Sequence, residues 1–141
     1  MSKMIFVNLP VTDLARSIAF YEAIGATKNP QFSDDTAACM VISETIYVMV
    51  LTHAKYAQFT QKPIADAHRT SQVLICLSQP SREEVDASVA KAANAGGKGD
   101  PGPKQDYGFM YGRSFEDPDG HHWEVMWMDP AAAAGSTEAA A

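Results

Sequence analysis

The chain follows the same short plan twice, and this repetition restricts its possible folds more than any other feature. In each half a strand-like segment precedes an amphipathic helix, and a run of short strand candidates follows the helix. The two copies are offset by roughly 70 residues, as expected of an internal repeat. Each copy is too small to bury a sheet face alone, so the two copies should pack together.

The first copy, module one, covers residues 3–52. Asp13 is a good N-cap for a helix in which Leu14 and Ile18 recur at helical spacing. Gly25 stands where a helix commonly ends on a left-handed residue. The strand candidates of module one are Phe6–Val11, Ala37–Ile42 and Ile46–Thr52.

The second copy, module two, covers residues 71–129. Ser81 and Glu84 form a capping box at the start of its helix, and Gly96 follows the end of that helix. The connector 53–70 has no counterpart in the repeat and is predicted to cover or extend a pocket. The strand candidates of module two are Gln72–Leu77, Phe109–Glu116 and His121–Met128.

Composition narrows the classes of function. The formal net charge is −6, and the eleven Lys and Arg residues are scattered, which argues against nucleic acid as a partner. No apolar run is long enough to span a membrane. Cys39 and Cys76 are isolated, as is typical of reduced thiols in a cytoplasmic protein. The Ala-rich segment 131–141 is predicted to be a disordered tail.

One carboxylate lies among apolar and aromatic residues in the last strand candidate. In a strand, Glu124 shares a face with His122 and Met126, while Trp123 points the other way. A carboxylate in such surroundings needs a partner, because burying an unpaired charge is costly. The partner could be a metal ion, a substrate hydroxyl, water or Arg113, which lies on the preceding strand across a short turn.

The segments NLPVTDLARSIAFYEAIG and SFEDPDGHHWEVMW resemble the vicinal oxygen chelate superfamily, which includes glyoxalase I, bleomycin-resistance proteins and extradiol dioxygenases. The resemblance covers Lys3–Asp129 and is greatest to the lactoylglutathione lyase-related, glyoxalase-like branch. It implies an α+β fold in which two paired βαβββ modules form a curved mixed sheet around a cleft. It further implies a single glyoxalase-like domain over residues 1–130 and a homodimer, with the modules paired either within one chain or across the dimer.

The resemblance also implies where a metal would bind. In metal-dependent members, four positions ligate one divalent ion, and they fall here on Phe6, Met49, Gln72 and Glu124. Glu124 is a good ligand and Gln72 a weak one, whereas the other two side chains are apolar. The site is therefore incomplete, and the chain is expected either to bind nickel, zinc, manganese or iron through Glu124 and Gln72 or to bind no metal.

Two functions follow from this pattern. The first is a metal-assisted lyase or isomerase of the lactoylglutathione lyase type, with Glu124 as catalytic residue. The alternative is metal-free binding and sequestration of an aromatic or cationic compound, as in bleomycin-resistance proteins. Whether the chain is an enzyme stays open. In either case a small molecule is the expected ligand, and the predicted ligand-binding residues are Phe6, Asn8, Met49, Gln72, Tyr111, Arg113 and His122.

Overall fold

A computed structural model describes residues 2–132 of the chain. Module one begins with a strand and a helix and continues with three further strands, and a single turn of 3-10 helix, Pro30–Phe32, interrupts it. Its elements are β1 (Ile5–Val11), α1 (Leu14–Ala23), β2 (Thr27–Asn29), β3 (Ala37–Val41) and β4 (Ile46–Thr52).

Module two follows the connector, which opens with the short helix α2 (His53–Tyr56). Its two long strands lie at the end of the module, and the minor strands β6 and β7 precede them. Its elements are β5 (Ile75–Ser78), α3 (Arg82–Asn94), β6 (Lys98–Gly99), β7 (Gln105–Asp106), β8 (Met110–Glu116) and β9 (His122–Met128).

The two modules have the same sheet topology. The strand order is β1-β4-β3-β2 in module one and β5-β9-β8-β6 in module two, where β7 pairs with β8 beside this path. The first and last strands of each module pair in parallel, and the remaining neighbours are antiparallel. The predicted α+β fold of two βαβββ modules is therefore confirmed, as two separate mixed sheets.

The helix ends follow the predicted capping residues. The Asp13 side chain accepts a hydrogen bond from the backbone N–H of Arg16, and Ser81 accepts one from that of Glu84. Gly25 adopts a φ of 112°, a left-handed conformation that side chains with a Cβ rarely adopt. Each cap fixes the residue at which its helix begins. It therefore also fixes the residue by which the preceding strand must end.

A single hydrophobic core joins the helical sides of both modules. Val48 and Val50 of β4 and Val125 of β9 belong to this core and are almost fully buried. Helix α1 reaches across to module two, where the ring of Phe20 lies 6.0 Å from that of Phe115. The helical sides of the two sheets therefore turn toward one another, and their opposite sides turn outward.

Strand β5 is shorter than the predicted strand and begins at Ile75 instead of Gln72. It pairs in parallel with β9, with Ile75 opposite Trp123. Continuing this register places Gln72 opposite Gly120, which lies in a turn at a φ of 87°. Gln72 therefore has no strand to pair with, and the prediction that it lies in a strand is wrong.

The end of the described chain is helical at residues 130–132, and the remainder of the predicted tail lies outside the described residues. No helix within residues 2–132 combines the length and the apolar character needed to cross a membrane.

Candidate small-molecule site

Strand alternation gives each sheet a side turned away from the helices, which we call the cleft face. Val48 and Trp123 point into the core, so their neighbours Met49 and Glu124 point to the cleft face. The same alternation places Phe6, Asn8 and His122 on the cleft face. Five predicted site residues thus lie on the cleft face of one or the other module.

Glu124 lies in the centre of the cleft face of module two. It is half-buried and stands opposite Cys76 of β5 and Ser114 of β8. Within residues 2–132 its carboxylate forms neither a hydrogen bond nor an ion pair. The acceptor capacity of Glu124 is therefore available to a ligand, which is unusual for a carboxylate in the middle of a sheet.

Arg113 does not pair with Glu124, and that prediction is wrong. The β8–β9 register places Arg113 opposite Val125, on the helical side of the sheet. Its guanidinium group contacts Asp100 at 2.5 Å and Asp86 at 2.8 Å. A shift of one residue from the register needed for pairing is enough to reverse the side chain's direction.

Tyr111 lies on the same helical side of β8 as Arg113. Its hydroxyl donates a hydrogen bond of 2.7 Å to Asp86. The hydrogen bonds from Tyr111 and Arg113 lower the pKa of Asp86 below its ordinary value. Tyr111 and Arg113 therefore belong to a network that ties β8 to α3, apart from the cleft face on which they were predicted to bind a ligand.

The cleft face of module one is apolar. The ring of Phe6 stacks on that of Tyr47 at a centroid distance of 4.6 Å and an angle of 10°. Met49 stands opposite Asn8 on one side and Cys39 on the other. This face offers a flat aromatic surface, a thioether and one amide, which suit an apolar ligand better than a hard cation.

The positions predicted to hold a metal do not fit a divalent ion. No group of three or more His, Cys, Asp or Glu residues within residues 2–132 is arranged to hold one. Gln72 precedes β5 and lines a cavity whose lining does not include Glu124. The pairing of Met49 with Asn8 and of Glu124 with Cys76 also shows that Phe6 corresponds to Leu74, not to Gln72.

Cys76 of β5 stands directly opposite Glu124 in the β5–β9 register. Burial raises the pKa of its thiol, and the negative charge of Glu124 raises it further. The thiol is therefore held in its protonated form at neutral pH, which disfavours a role as nucleophile.

A cavity lies under the connector, which was predicted to cover or extend a pocket. We call this cavity the connector pocket. It has a volume of about 590 Å³ and is bounded by the connector, the end of β1 and the start of β9. Asn8, Gln72 and His122 line it, together with Lys62 and Arg69. Three predicted site residues therefore meet in this pocket, whereas Glu124 and Met49 lie outside it.

The turn between β8 and β9 has the sequence DPDG, residues 117–120. Its two aspartates connect the two modules, a role that the sequence did not reveal. Asp119 is 8% exposed and accepts hydrogen bonds from the backbone and the hydroxyl of Thr12, at 3.0 and 2.7 Å. Asp117 is 2% exposed and accepts one from the hydroxyl of Tyr21 at 2.7 Å. That hydroxyl in turn accepts a bond from the indole of Trp123. We call this set the inter-module seam.

Burial sets the electrostatics of the seam. It raises the pKa of Asp117, while the neighbouring His121 and the hydrogen bond from Tyr21 oppose the shift. The His121 ring lies 2.7 Å from the carbonyl oxygen of Pro10. Burial together with the charge of Asp117 raises the pKa of Tyr21, so its hydroxyl stays protonated and donates. The only sequence signal for this seam was a pair of acidic residues in a turn.

Comparisons with known proteins agree with this architecture. The family model of the Glyoxalase/Bleomycin resistance protein/Dioxygenase superfamily matches residues 3–125. The chain therefore belongs to that superfamily. No curated protein matches the chain.

Solved structures of similar fold cover nearly the whole chain. A hypothetical protein from S. aureus, SA1046, is 28% identical with a TM-score of 0.75, over 90% of this chain and 94% of that chain. A glyoxalase/bleomycin resistance protein/dioxygenase family enzyme from Burkholderia phytofirmans PsJN is 19% identical with a TM-score of 0.72, over 90% and 99%. A glyoxalase-related enzyme from Fulvimarina pelagi is 19% identical with a TM-score of 0.72, over 90% and 88%. At these two lower identities the likeness concerns the fold alone.

Proposed function

We propose that the chain binds a small, largely apolar molecule on its cleft face without the help of a metal ion. The observation that carries this proposal is the isolation of Glu124. It is a half-buried carboxylate with no polar partner among residues 2–132, and no group of three or more His, Cys, Asp or Glu residues in that range is arranged to hold a metal ion. A ligand that brings its own cation or hydroxyl group would complement Glu124, because a charge-assisted hydrogen bond is strong in such surroundings.

The neighbours of Glu124 favour an aromatic or otherwise flat ligand. Met126 lies beside it on β9, and Met49 and the stacked Phe6–Tyr47 pair form the corresponding face of module one. Such surfaces bind aromatic compounds through dispersion and burial of apolar area, and a few polar groups set the orientation. A planar aromatic cation is the ligand that best matches an apolar surface together with the unpaired carboxylate of Glu124.

The metal-assisted lyase reaction that the resemblance implies is less well supported. That chemistry depends on a metal to polarise the substrate, and a catalytic metal site keeps about three protein ligands. The cleft face supplies Glu124, while the corresponding positions hold Met49, Phe6 and Leu74. We therefore favour ligand binding over a lyase reaction.

We further propose that the cleft is completed by a second copy of the chain. The two cleft faces turn outward within one chain, and β1 and β5 are terminal strands of their sheets. Large apolar residues are exposed in β1 and directly before β5: Ile5 is 56% exposed and Leu74 is 54% exposed. Uncovered apolar edge strands favour association, and a two-fold dimer would cover both edges of each chain at once.

The binding proposal is tested by isothermal titration of chelator-treated protein with ethidium, a planar aromatic cation, and with uncharged naphthalene-2-ol as comparison. We expect ethidium to bind and Glu124→Gln to weaken its binding about tenfold, because one charge-assisted contact is lost. Glu83→Gln, which removes an exposed carboxylate from helix α3 of module two, is the matched control and should leave the affinity unchanged. Equal affinity of wild type and Glu124→Gln would refute the assignment of Glu124.

The dimer proposal is tested by light scattering after size exclusion. Wild type should have twice the mass of the chain, and Ile5→Glu with Leu74→Glu should have the mass of one chain. Phe59→Glu is the control, because Phe59 is 70% exposed in the connector and belongs to neither edge strand. A monomeric wild type, or a dimeric double variant, would contradict the proposed interface.

A further inference from the structure

The connector pocket concentrates positive charge in a chain that is acidic overall. Lys62 and Arg69 line the pocket together with three histidines, and Glu116 supplies the one carboxylate among its described lining residues. The formal net charge of the whole chain is −6. A local excess of cations that opposes the overall charge indicates a site for an anion.

Arg69 differs from the other arginines in having no carboxylate partner within residues 2–132. The chain has four arginines, and Arg16, Arg82 and Arg113 each form an ion pair with an aspartate. Arg69 forms no ion pair with any residue between 2 and 132, and neither does Lys62. Because a guanidinium group offers a planar fork of donors, Arg69 can bind a carboxylate or a phosphate through two hydrogen bonds.

The remainder of the pocket suits an organic molecule. Its volume of about 590 Å³ lies within the range of small-molecule sites. Ile64, Pro63 and Val73 line it with apolar side chains, and Asn8 and Gln72 line it with side-chain amides. An inorganic ion alone would leave the apolar side chains without a partner.

We propose that the connector pocket binds a small organic anion. Its carboxylate or phosphate group contacts Lys62 and Arg69, and its apolar part lies against Ile64 and Val73. The lining of this pocket includes Asn8 and His122 of the cleft face but not Glu124, so Glu124→Gln distinguishes binding here from binding of the ligand proposed for that face. It gives the connector, which has no counterpart in module one, a function of its own.

The test is isothermal titration of the full chain with phenyl phosphate, benzoate and inorganic phosphate. We expect at least one of the two organic anions to bind and inorganic phosphate to bind more weakly. A tighter complex with phenyl phosphate identifies a phosphate site, and a tighter complex with benzoate identifies a carboxylate site. In Lys62→Ala/Arg69→Ala the dissociation constant of the preferred anion should rise at least about tenfold.

Two controls separate this site from general charge effects and from the cleft face. Lys28→Ala/Lys91→Ala removes the same charge from exposed positions outside the pocket and should bind like wild type. Glu124→Gln should also bind the anion like wild type, even where it loses ethidium. The proposal is overturned when neither organic anion binds wild type at millimolar concentration. It is equally overturned when the pocket variant binds as tightly as wild type, or when the Lys28/Lys91 control loses as much affinity as the pocket variant.

Discussion

The inter-module seam and the cleft face lie on opposite sides of the same strand, yet they use their polar groups in opposite ways. On one side of β9, the indole of Trp123 donates to Tyr21, whose hydroxyl donates to the buried Asp117. On the other side, the next residue, Glu124, has no partner within residues 2–132. The seam uses all of its polar groups for folding, whereas the cleft face leaves its carboxylate for a ligand.

This difference allows folding and binding to be separated experimentally. Buried polar atoms stabilise a structure when they are paired and cost free energy when they lose a partner. Substitutions in the seam should therefore change stability strongly, and substitutions on the cleft face should change binding with little effect on stability. Four predictions test this contrast, from the largest expected effect on stability to the smallest.

The largest effect is expected for Asp117→Ala in the seam. The substitution removes the acceptor of three hydrogen bonds, from the hydroxyl of Tyr21 and from the backbone N–H groups of Asp119 and His121. We expect the free energy of unfolding in urea to fall by about 3 kcal/mol, because buried donors are left unpaired. Asp35→Ala, at an exposed position, should change it by less than about 0.5 kcal/mol. Equal effects of the two substitutions would contradict the seam's role.

A smaller loss is expected for Tyr21→Phe. The ring stays in the core, but the hydroxyl that links Asp117 to Trp123 is removed. The expected decrease in the free energy of unfolding is about 1–2 kcal/mol, measured in the same urea titration. Tyr56→Phe serves as control, since Tyr56 lies on the short connector helix outside the seam. No measurable difference between the two variants would show that the hydroxyl is not needed.

Asp106 is a paired but exposed carboxylate, so it lies between the two extremes. The hydrogen bonds from Arg82 hold its pKa at about 2, below the ordinary value of 3.8. A lowered carboxyl pKa contributes stability that is present above pH 4 and is lost as the pH falls toward 2. Asp106→Asn should therefore lose less stability than wild type between about pH 4 and pH 2, as read from urea midpoints at successive pH values. A variant as acid-sensitive as wild type would exclude this ion pair as a contributor.

The smallest effect on stability is expected for Glu124→Gln. Its carboxylate has no partner to lose within the described residues, and the amide has almost the same shape. The free energy of unfolding should change by less than about 0.5 kcal/mol. A loss comparable to that of Asp117→Ala would mean that Glu124 has a structural partner, and it would remove the distinction between the two sides of β9.

The features that the sequence predicted correctly are those that depend on local signals. The capping residues Asp13 and Ser81 and the DPDG turn are local signals, and they located the helices and the last hairpin correctly. The face of Glu124 also followed from local alternation. The partner of Arg113 did not, because it depends on the β8–β9 register, and a shift of one residue reverses a side chain.

The seam and the cationic lining of the connector pocket could not be predicted for a related reason. Asp119 meets Thr12 over a separation of 107 residues, and no local pattern marks that contact. Arg69 and Lys62 come together with His122 only when the connector folds over the end of β1. Contacts of this kind depend on how the modules pack, which the repeat alone left open.

If the cleft face binds its ligand without a metal ion, chelator-treated protein should not take up nickel, zinc, manganese or iron when it is titrated with these ions. Calorimetry and elemental analysis of the dialysed protein should be done together, on wild type and on Glu124→Gln. We expect no stoichiometric binding of any of these ions at micromolar concentration and no difference between the two proteins. One ion bound per chain in wild type, and lost in Glu124→Gln, would contradict it.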